Sequence, residues 1–390
     1  MRTASAHAIF AGDDKTENAA NAARSLKASL SAFKPAQVLF FAAGKYDYGR
    51  LAAAVQDAFP GAITLGCSTS GEIADGQVLA GSVSALAFGE DVFEHFDVSV
   101  LSYFTPNGRP ADPIRQLENL FTGLSDRLDL KTLEYLEGDK HFFLVLADGR
   151  RYFIEPALDR AGDLASVPFF GGIAGDNMNF AYTPTFLNGC VYNASAILAL
   201  IKPRGRFELV KTQEAVPAGD GRIHTVTRSS PEDHVLFELD GRPAGQIYSE
   251  AVGIPVGELN LETAFKRWTL GIASGDDLLL RCVAEVQPDR SIITAAAIPE
   301  GGQVRIFRND DIVNSTARAM AETERRLGGK IGGLLHVSCM IRTLALAAND
   351  RAVAFREIFK NYPNAGFASH GEICVNIANA SSVMLALADE

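Results

Sequence analysis

The chain has 390 residues, 47% of them hydrophobic and 21% charged, a balance that buries a core and excludes disorder on a large scale. At this length two domains are the natural expectation. The formal net charge of -11 argues against a nucleic-acid partner, which requires a basic surface. Residues 1–14 lack the apolar core of a signal peptide, and no run approaches the roughly 18 apolar residues that cross a bilayer. A cytoplasmic protein without a membrane partner is expected.

From the N-terminus, a helix over Asp13 to Phe33 places Ala19, Ala22, Leu26, Leu30 and Phe33 on one face. The strand-like run QVLFFAAG ends at Gly44, and a helix over Tyr48 to Phe59 follows. The short strand AITLG then enters GCSTSGEI at 66–73, with the apolar run SVSALAF from Ser82. The pattern returns with a helix over Asp112 to Leu128, the strand HFFLVLADG to Gly149, a weak helix over Phe153 to Gly162, and VPFFG leading into GGIAGDNM. SAILALI from Ser195 closes that copy. Pro203 and Gly205 then punctuate the chain, which sets the expected domains at 1–205 and 206–390.

Between 206 and 241 the residues alternate as strands, with Asp240-Gly241 as a hairpin turn. Residues 271–298 read as strands and turns without a role, and Trp268 reads as core. A helix over Asn309 to Leu327 precedes the strand LLHVSC. A helix over Asp350 to Tyr362 follows, capped by Asn349 or Asp350 and stopped by Pro363. NAGF then enters GFASHGEI at 366–373, and SVMLALA starts at Ser382.

These runs form three copies of one unit: strand, helix, strand, turn, strand. Gly66 to Ser82 and Gly366 to Ser382 have equal spacing, and Gly175-Asp176 takes the Gly-Glu place in the looser middle copy. The unit predicts an α/β fold of mixed sheets with helices packed on them, with the repeat running across the 205/206 boundary.

Ligands collect where loops leave the carboxyl ends of parallel strands, and glycines let backbone approach closely there. Ser68, Thr69, Ser70 and Glu72 are therefore expected to meet Asp176, Asn177, His370 and Glu372, with Lys45, Arg150 and Arg342 from neighbouring loops. Such a pocket carries both charge signs and suits a small zwitterion or a cofactor with propionates. Glu72 and Glu372 equally fit a plainer part, holding their turns through backbone amides. His370 replaces a small residue of the other copies (Ser70, Ala174), whereas His224 and His336 sit within strand patterns.

Enzymatic signatures are missing: there is no Walker sequence, no GxGxxG after a strand, no GxSxG and no HExxH. The five cysteines lack CxxC spacing, which indicates neither a disulfide framework nor structural zinc. A hydrolase or transferase reading rests on Cys67 or Glu72 alone, with no base nameable beside the thiol. A non-enzymatic protein is expected.

GCSTSGEI and GGIAGD, followed by HTVTRS at 224–229, ELDGRPAGQIYSE at 238–250 and GFASHGEI, are similar to the FIST family of bacterial sensory domains. The resemblance covers the chain from about residue 35 onward, and implies an N-terminal FIST module over 1–205 and a C-terminal one over 206–390. It also implies a ligand-sensing input that regulates a separate signalling protein, such as a histidine kinase or a cyclic-di-GMP enzyme, and leaves a homodimer open. In length and layout the chain resembles the free-standing nitric-oxide-sensing branch, which implies haem b. His370 would then be the axial ligand of the iron, with His224 and His336 behind it and Arg342 and Lys45 meeting the propionates. The competing implication is a sensor of a small polar metabolite such as an amino acid. Its carboxylate would meet Arg342 or backbone amides, and its amine Glu72 or Glu372.

Overall fold

A computed structural model of the chain describes residues 2–9, 14–149, 151–177, 179, 181–274, 277–347, 351–374 and 376–389. The first repeat comprises β1 (Thr3–Ile9), α1 (Lys15–Ser29), β2 (Gln37–Ala42), α2 (Tyr48–Ala58), β3 (Ile63–Ser68), β4 (Glu72–Ala74), β5 (Gln77–Leu79) and β6 (Ser82–Phe88). The second has the same order: β7 (Phe93–Ser102), α3 (Pro113–Arg127), β8 (Phe142–Ala147), α4 (Arg151–Leu164), β9 (Phe169–Ile173), β10 (Thr185–Leu187), β11 (Cys190–Tyr192) and β12 (Ser195–Pro203).

The third repeat opens with β13 (Phe207–Thr212) and is then interrupted by an insertion. The insertion holds β14 (Ala215–Pro217), β15 (Ile223–Ser230), β16 (Val235–Leu239), β17 (Arg242–Pro243), α5 (Ala244–Val252), β18 (Trp268–Ser274), β19 (Asp277–Val286), β20 (Ile292–Thr294) and β21 (Gln303–Asn309). The repeat resumes with α6 (Ile312–Leu327), β22 (Ile331–Cys339), α7 (Met340–Ala347), α8 (Arg351–Phe359), β23 (Asn364–Ser369), β24 (Gly371–Cys374), β25 (Asn376–Ala378) and β26 (Ser382–Ala388).

Each repeat builds a six-stranded sheet, and each sheet takes its last two strands from another repeat. The orders are β1-β6-β2-β3-β10-β11, β7-β12-β8-β9-β24-β25 and β13-β26-β22-β23-β4-β5. The first repeat thus gives its hairpin to the third, the third to the second, and the second to the first. In every sheet the central pair is parallel (β2–β3, β8–β9, β22–β23) and the remaining pairs are antiparallel. The expected 205/206 boundary falls in the loop between β12 and β13, and the exchanged hairpins pass across it.

Strand alternation decides the layers. Leu39, Phe41, Leu65 and Leu86 face inward, where they meet Phe142, Leu144 and Leu146 of the second sheet and Leu335, Val337, Phe367 and Leu385 of the third in one central core. Phe40 and Val38 face outward under α1 and α2, with Ala19, Ala22, Leu26, Leu51 and Val55. α3 and α4 cover the second sheet, and α6 and α8 the third. Burying both sheet faces accounts for the near-continuous apolar runs of β2, β8 and β26. The first glycine of each turn motif follows from the same packing. Phe40 pairs with Gly66, Val145 with Gly171 and His336 with Gly366. A Cβ on these glycines would lie 1.7, 1.9 and 1.7 Å from the partner's carbonyl oxygen, so no larger residue fits.

Helix starts follow the capping rules. Asp14 accepts the Glu17 N–H ahead of α1, Asp47 the Arg50 N–H, Asp112 the Arg115 N–H and Asp311 the Asn314 N–H. The expected helix over Asp350 to Tyr362 is α8, shorter at its end and preceded by α7. Asn349 and Asp350, its expected caps, and Asp13 lie outside the described residues.

In the insertion, β21, β15, β16, β20, β19 and β18 pair in turn, and β18 pairs back with β21. The result is a closed antiparallel barrel, which leaves no free edges among these strands. α5 packs Ala244, Ile247 and Tyr248 into its core, and Trp268 is half-buried against it. Among the described residues, no helix is long and apolar enough to cross a membrane.

Candidate functional site

Three corners, one per repeat, meet at the centre of the molecule, where the chain leaves β3, β9 and β23. The Ser70 N–H donates to the Ala368 carbonyl at 3.0 Å, the Gly175 N–H to the Ser68 carbonyl at 3.0 Å, and the His370 N–H to the Ile173 carbonyl at 3.1 Å. Counted from Gly66, Gly171 and Gly366, the donors are equivalent positions, so the three bonds close a cyclic ring that ties each repeat to the next. The side chains at these positions are Ser, nothing and His. The His370 imidazole is fully buried, and its Nε2 lies 2.9 Å from Ser70 Oγ, 3.4 Å from the Asp176 N–H and 3.7 Å from Asp176 Oδ1. A Cβ on Gly175 would stand 2.4 Å from Ser70 Oγ, so the glycine makes room for this pair.

Asp176 also organises the chain that follows it. Its Oδ2 accepts the Ala181 N–H at 2.7 Å and the Tyr182 N–H at 3.1 Å. The exposed Asn177, with φ of 58°, donates its N–H to Ser70 Oγ at 3.0 Å. Beside this junction stand Tyr48, in the first turn of α2, and the half-exposed Tyr182, with ring centres 5.9 Å apart. Burial holds the Tyr48 phenol above its ordinary range, opposed by the neighbouring Ser68 hydroxyl. Lys45 leaves the end of β2 with its Nζ 5.6 Å from the centre of the Tyr46 ring.

The two glutamates have the plainer of their two expected parts. Glu72 is fully buried: it accepts from Thr69 Oγ1, from the Ser82 N–H at 2.7 Å and from Ser82 Oγ at 2.6 Å. Glu372 is fully buried too, and accepts from Ser369 Oγ at 2.5 Å, from Ser381 Oγ at 2.7 Å and from the Ser381 N–H at 3.3 Å. Each carboxylate clasps the start of its hairpin to the strand after it. Burial raises both carboxyls above the ordinary range and outweighs the hydroxyl and amide donors. Register corrects the third member of the set. Glu72 pairs with Phe367, Glu372 with Gly172 and Thr185 with Cys67, so Thr185, not Asp176, stands in the Glu position of the second repeat. Its Oγ1 lies 3.1 Å from Ser195 Oγ. Sequence spacing missed Thr185 because the loop after Asp176 lengthens that copy, although the Ser195 opening SAILALI marks the strand it clasps.

The other expected site residues lie apart from the corners. Arg342 is buried and donates from Nη2 to Thr212 Oγ1 at 3.1 Å and Thr316 Oγ1 at 3.0 Å, which ties α7 to β13 and α6. Burial lowers its guanidinium to about 10. His336 packs against Phe355 and Phe359 with Nε2 2.5 Å from Ser382 Oγ, and burial lowers it to about 3. His224 belongs to the barrel, where Nδ1 lies 2.8 Å from Asp240 Oδ2. Arg150 lies outside the described residues. Cys67 is fully buried, and burial pushes its thiol well above the ordinary range, so it is no nucleophile.

Haem asks for an imidazole open to iron in an apolar cavity, with cations for the propionates. Of the three histidines, His370 has Nε2 engaged by Ser70, His336 is wrapped in phenylalanines, and His224 opens on a polar cleft. Arg342 is enclosed between helices and strand. These residues do not fit the group.

Residues 36–242 match the FIST N domain, and residues 244–375 match the FIST C domain. The chain belongs to the FIST family. The two matches meet within the barrel and together take in all three corners. No curated protein matches this FIST chain in sequence. FIST domains are non-catalytic sensory modules, and this FIST protein serves signal transduction.

Proposed function

We propose that this FIST protein senses a small polar metabolite, such as an amino acid, at the corner junction and passes the state of that junction to a separate signalling protein such as a histidine kinase. The observation that carries the reading is the cyclic ring of Ser70, Gly175 and His370 amides. A ligand that engages Ser70, Asp176 or Asn177 acts on bonds shared by all three sheets, so a local contact changes the packing of the whole molecule. Such a ligand shifts the molecule only by its differential affinity for closed and open rings.

Lys45, Asp176, Asn177 and the two tyrosines around the ring offer both charge signs and hydrogen-bonding groups, which matches a zwitterion better than a macrocycle. The buried glutamates serve the fold in this reading, and the ammonium group of the ligand meets Asp176. The test is thermal unfolding of the purified protein against the common amino acids, with Ser70→Ala and Asn177→Ala alongside. A rise in melting temperature with one amino acid, lost in both variants, is the expected result. A Soret band after reconstitution with haem, shifted by nitric oxide and lost in His370→Ala, would replace this reading with the gas-sensing one.

A further inference from the structure

We propose that the barrel carries a second binding site, separate from the corners, that takes a small carboxylate anion together with a proton. The site is a cleft of about 380 Å³ between the start of β15, the β16–β17 turn and α5. His224 lies on its wall with only 8% of its surface exposed. Its Nδ1 is 2.8 Å from Asp240 Oδ2, and the other Asp240 oxygen accepts the Thr225 N–H at 2.8 Å. Asp240 and Gly241 stand at φ of 51° and 72°, so the tight turn itself fixes the carboxylate. The backbone N–H of Thr225, then the imidazole, hold the Asp240 carboxyl below its ordinary range. An ionised Asp240 accepts a hydrogen bond from Nδ1–H and leaves Nε2 for the cleft.

A second donor converges on the same place. Arg222 Nη2 stands 3.8 Å from the Asp240 oxygen that holds His224, and its side chain is 67% exposed. Arg242 is different: it is bound in bidentate fashion to Glu250 at 3.0 and 2.6 Å, which neutralises both. Asp220 turns back to accept the Arg222 N–H at 3.0 Å. The charged groups around the imidazole are therefore Asp220 and Arg222 from the preceding loop, Asp240 from the turn, Arg242 from β17 and Glu250 from α5, while β21 places Val304 opposite. Of the cations, Arg222 alone has a single long contact.

A neutral His224 presents a lone pair to the cleft and repels an anion. When Nε2 takes a proton, the imidazolium and Arg222 form two cationic donors on one side of the cleft, and Asp240 behind them stabilises the added charge. A carboxylate spans such a pair. Binding and proton uptake are then linked, so affinity falls as pH rises.

The probe is acetate, titrated into the full chain and read by the nitrogen-15 shifts of the His224 imidazole. The expected result is that acetate moves Nε2 toward the protonated position, with apparent affinity falling about tenfold per pH unit on the alkaline side. Arg222→Gln, a surface change that leaves folding intact, is expected to weaken acetate about tenfold, and His224→Gln to remove the pH dependence. Acetate affinity that ignores pH, or that Arg222→Gln leaves unchanged, overturns the proposal. Ser70→Ala leaves the acetate titration unaltered, so failure at this cleft and failure of the corner reading are told apart.

Discussion

The corners of the first and third repeats differ from the corner of the second, although all three occupy the same place in the fold. The first and third are clasped by a buried glutamate taking three donors each, whereas Thr185 and Ser195 clasp the second with a pair of hydroxyls. A position that accepts either chemistry secures its hairpin in every copy. Individuality lies one step away, at Ser70, Gly175 and His370, and in the Asp176 loop of the second repeat alone.

That contrast can be broken by mutation. Glu372→Leu leaves the Ser381 hydroxyl and N–H without their acceptor in the core and reduces Ser369 Oγ to its 3.3 Å contact with the Ser338 carbonyl, and is expected to destabilise by about 3 kcal/mol in denaturant unfolding. Gly175→Ala drives a methyl against Ser70 and opens the ring, at an expected cost of about 2 kcal/mol in the same measurement. Thr185→Val removes one neutral hydrogen bond and is expected to cost about 1 kcal/mol. Equal losses for Glu372→Leu and Thr185→Val would erase the distinction between the corners.

The pH dependence sharpens the same comparison. Burial raises the folded Glu372 carboxyl, so the folded chain holds this proton more tightly than the unfolded chain. Its contribution to stability is complete below the ordinary carboxyl range and is lost as pH rises toward the raised folded value. Glu372→Gln keeps the shape and is expected to flatten this part of the profile above the ordinary carboxyl range, read as melting temperature. Thr185→Val leaves the profile unchanged.

Much of this was legible in the sequence. The equal spacing from Gly66 to Ser82 and from Gly366 to Ser382 marks two copies of one corner, and the apolar runs show which strands are buried on both faces. The hairpin exchange was not legible, because β4, β10 and β24 are short and their partners lie in other repeats. Alternation reveals strands in 206–241 but not barrel closure, which depends on β18 meeting β21. Arg342 resembles a loop residue at a strand end, yet α7 starts immediately after β22 and carries it into the interior. Thr185 was hidden by the loop after Asp176, which breaks the spacing that located Glu72 and Glu372.

The ring of backbone bonds between repeats is tested most directly by hydrogen exchange at the Ser70, Gly175 and His370 amides. A closed ring predicts that the three exchange slowly and together, and that an amino acid bound at the junction shifts all three by the same factor. Three unrelated rates, or a ligand that alters one amide and leaves the others untouched, would contradict it.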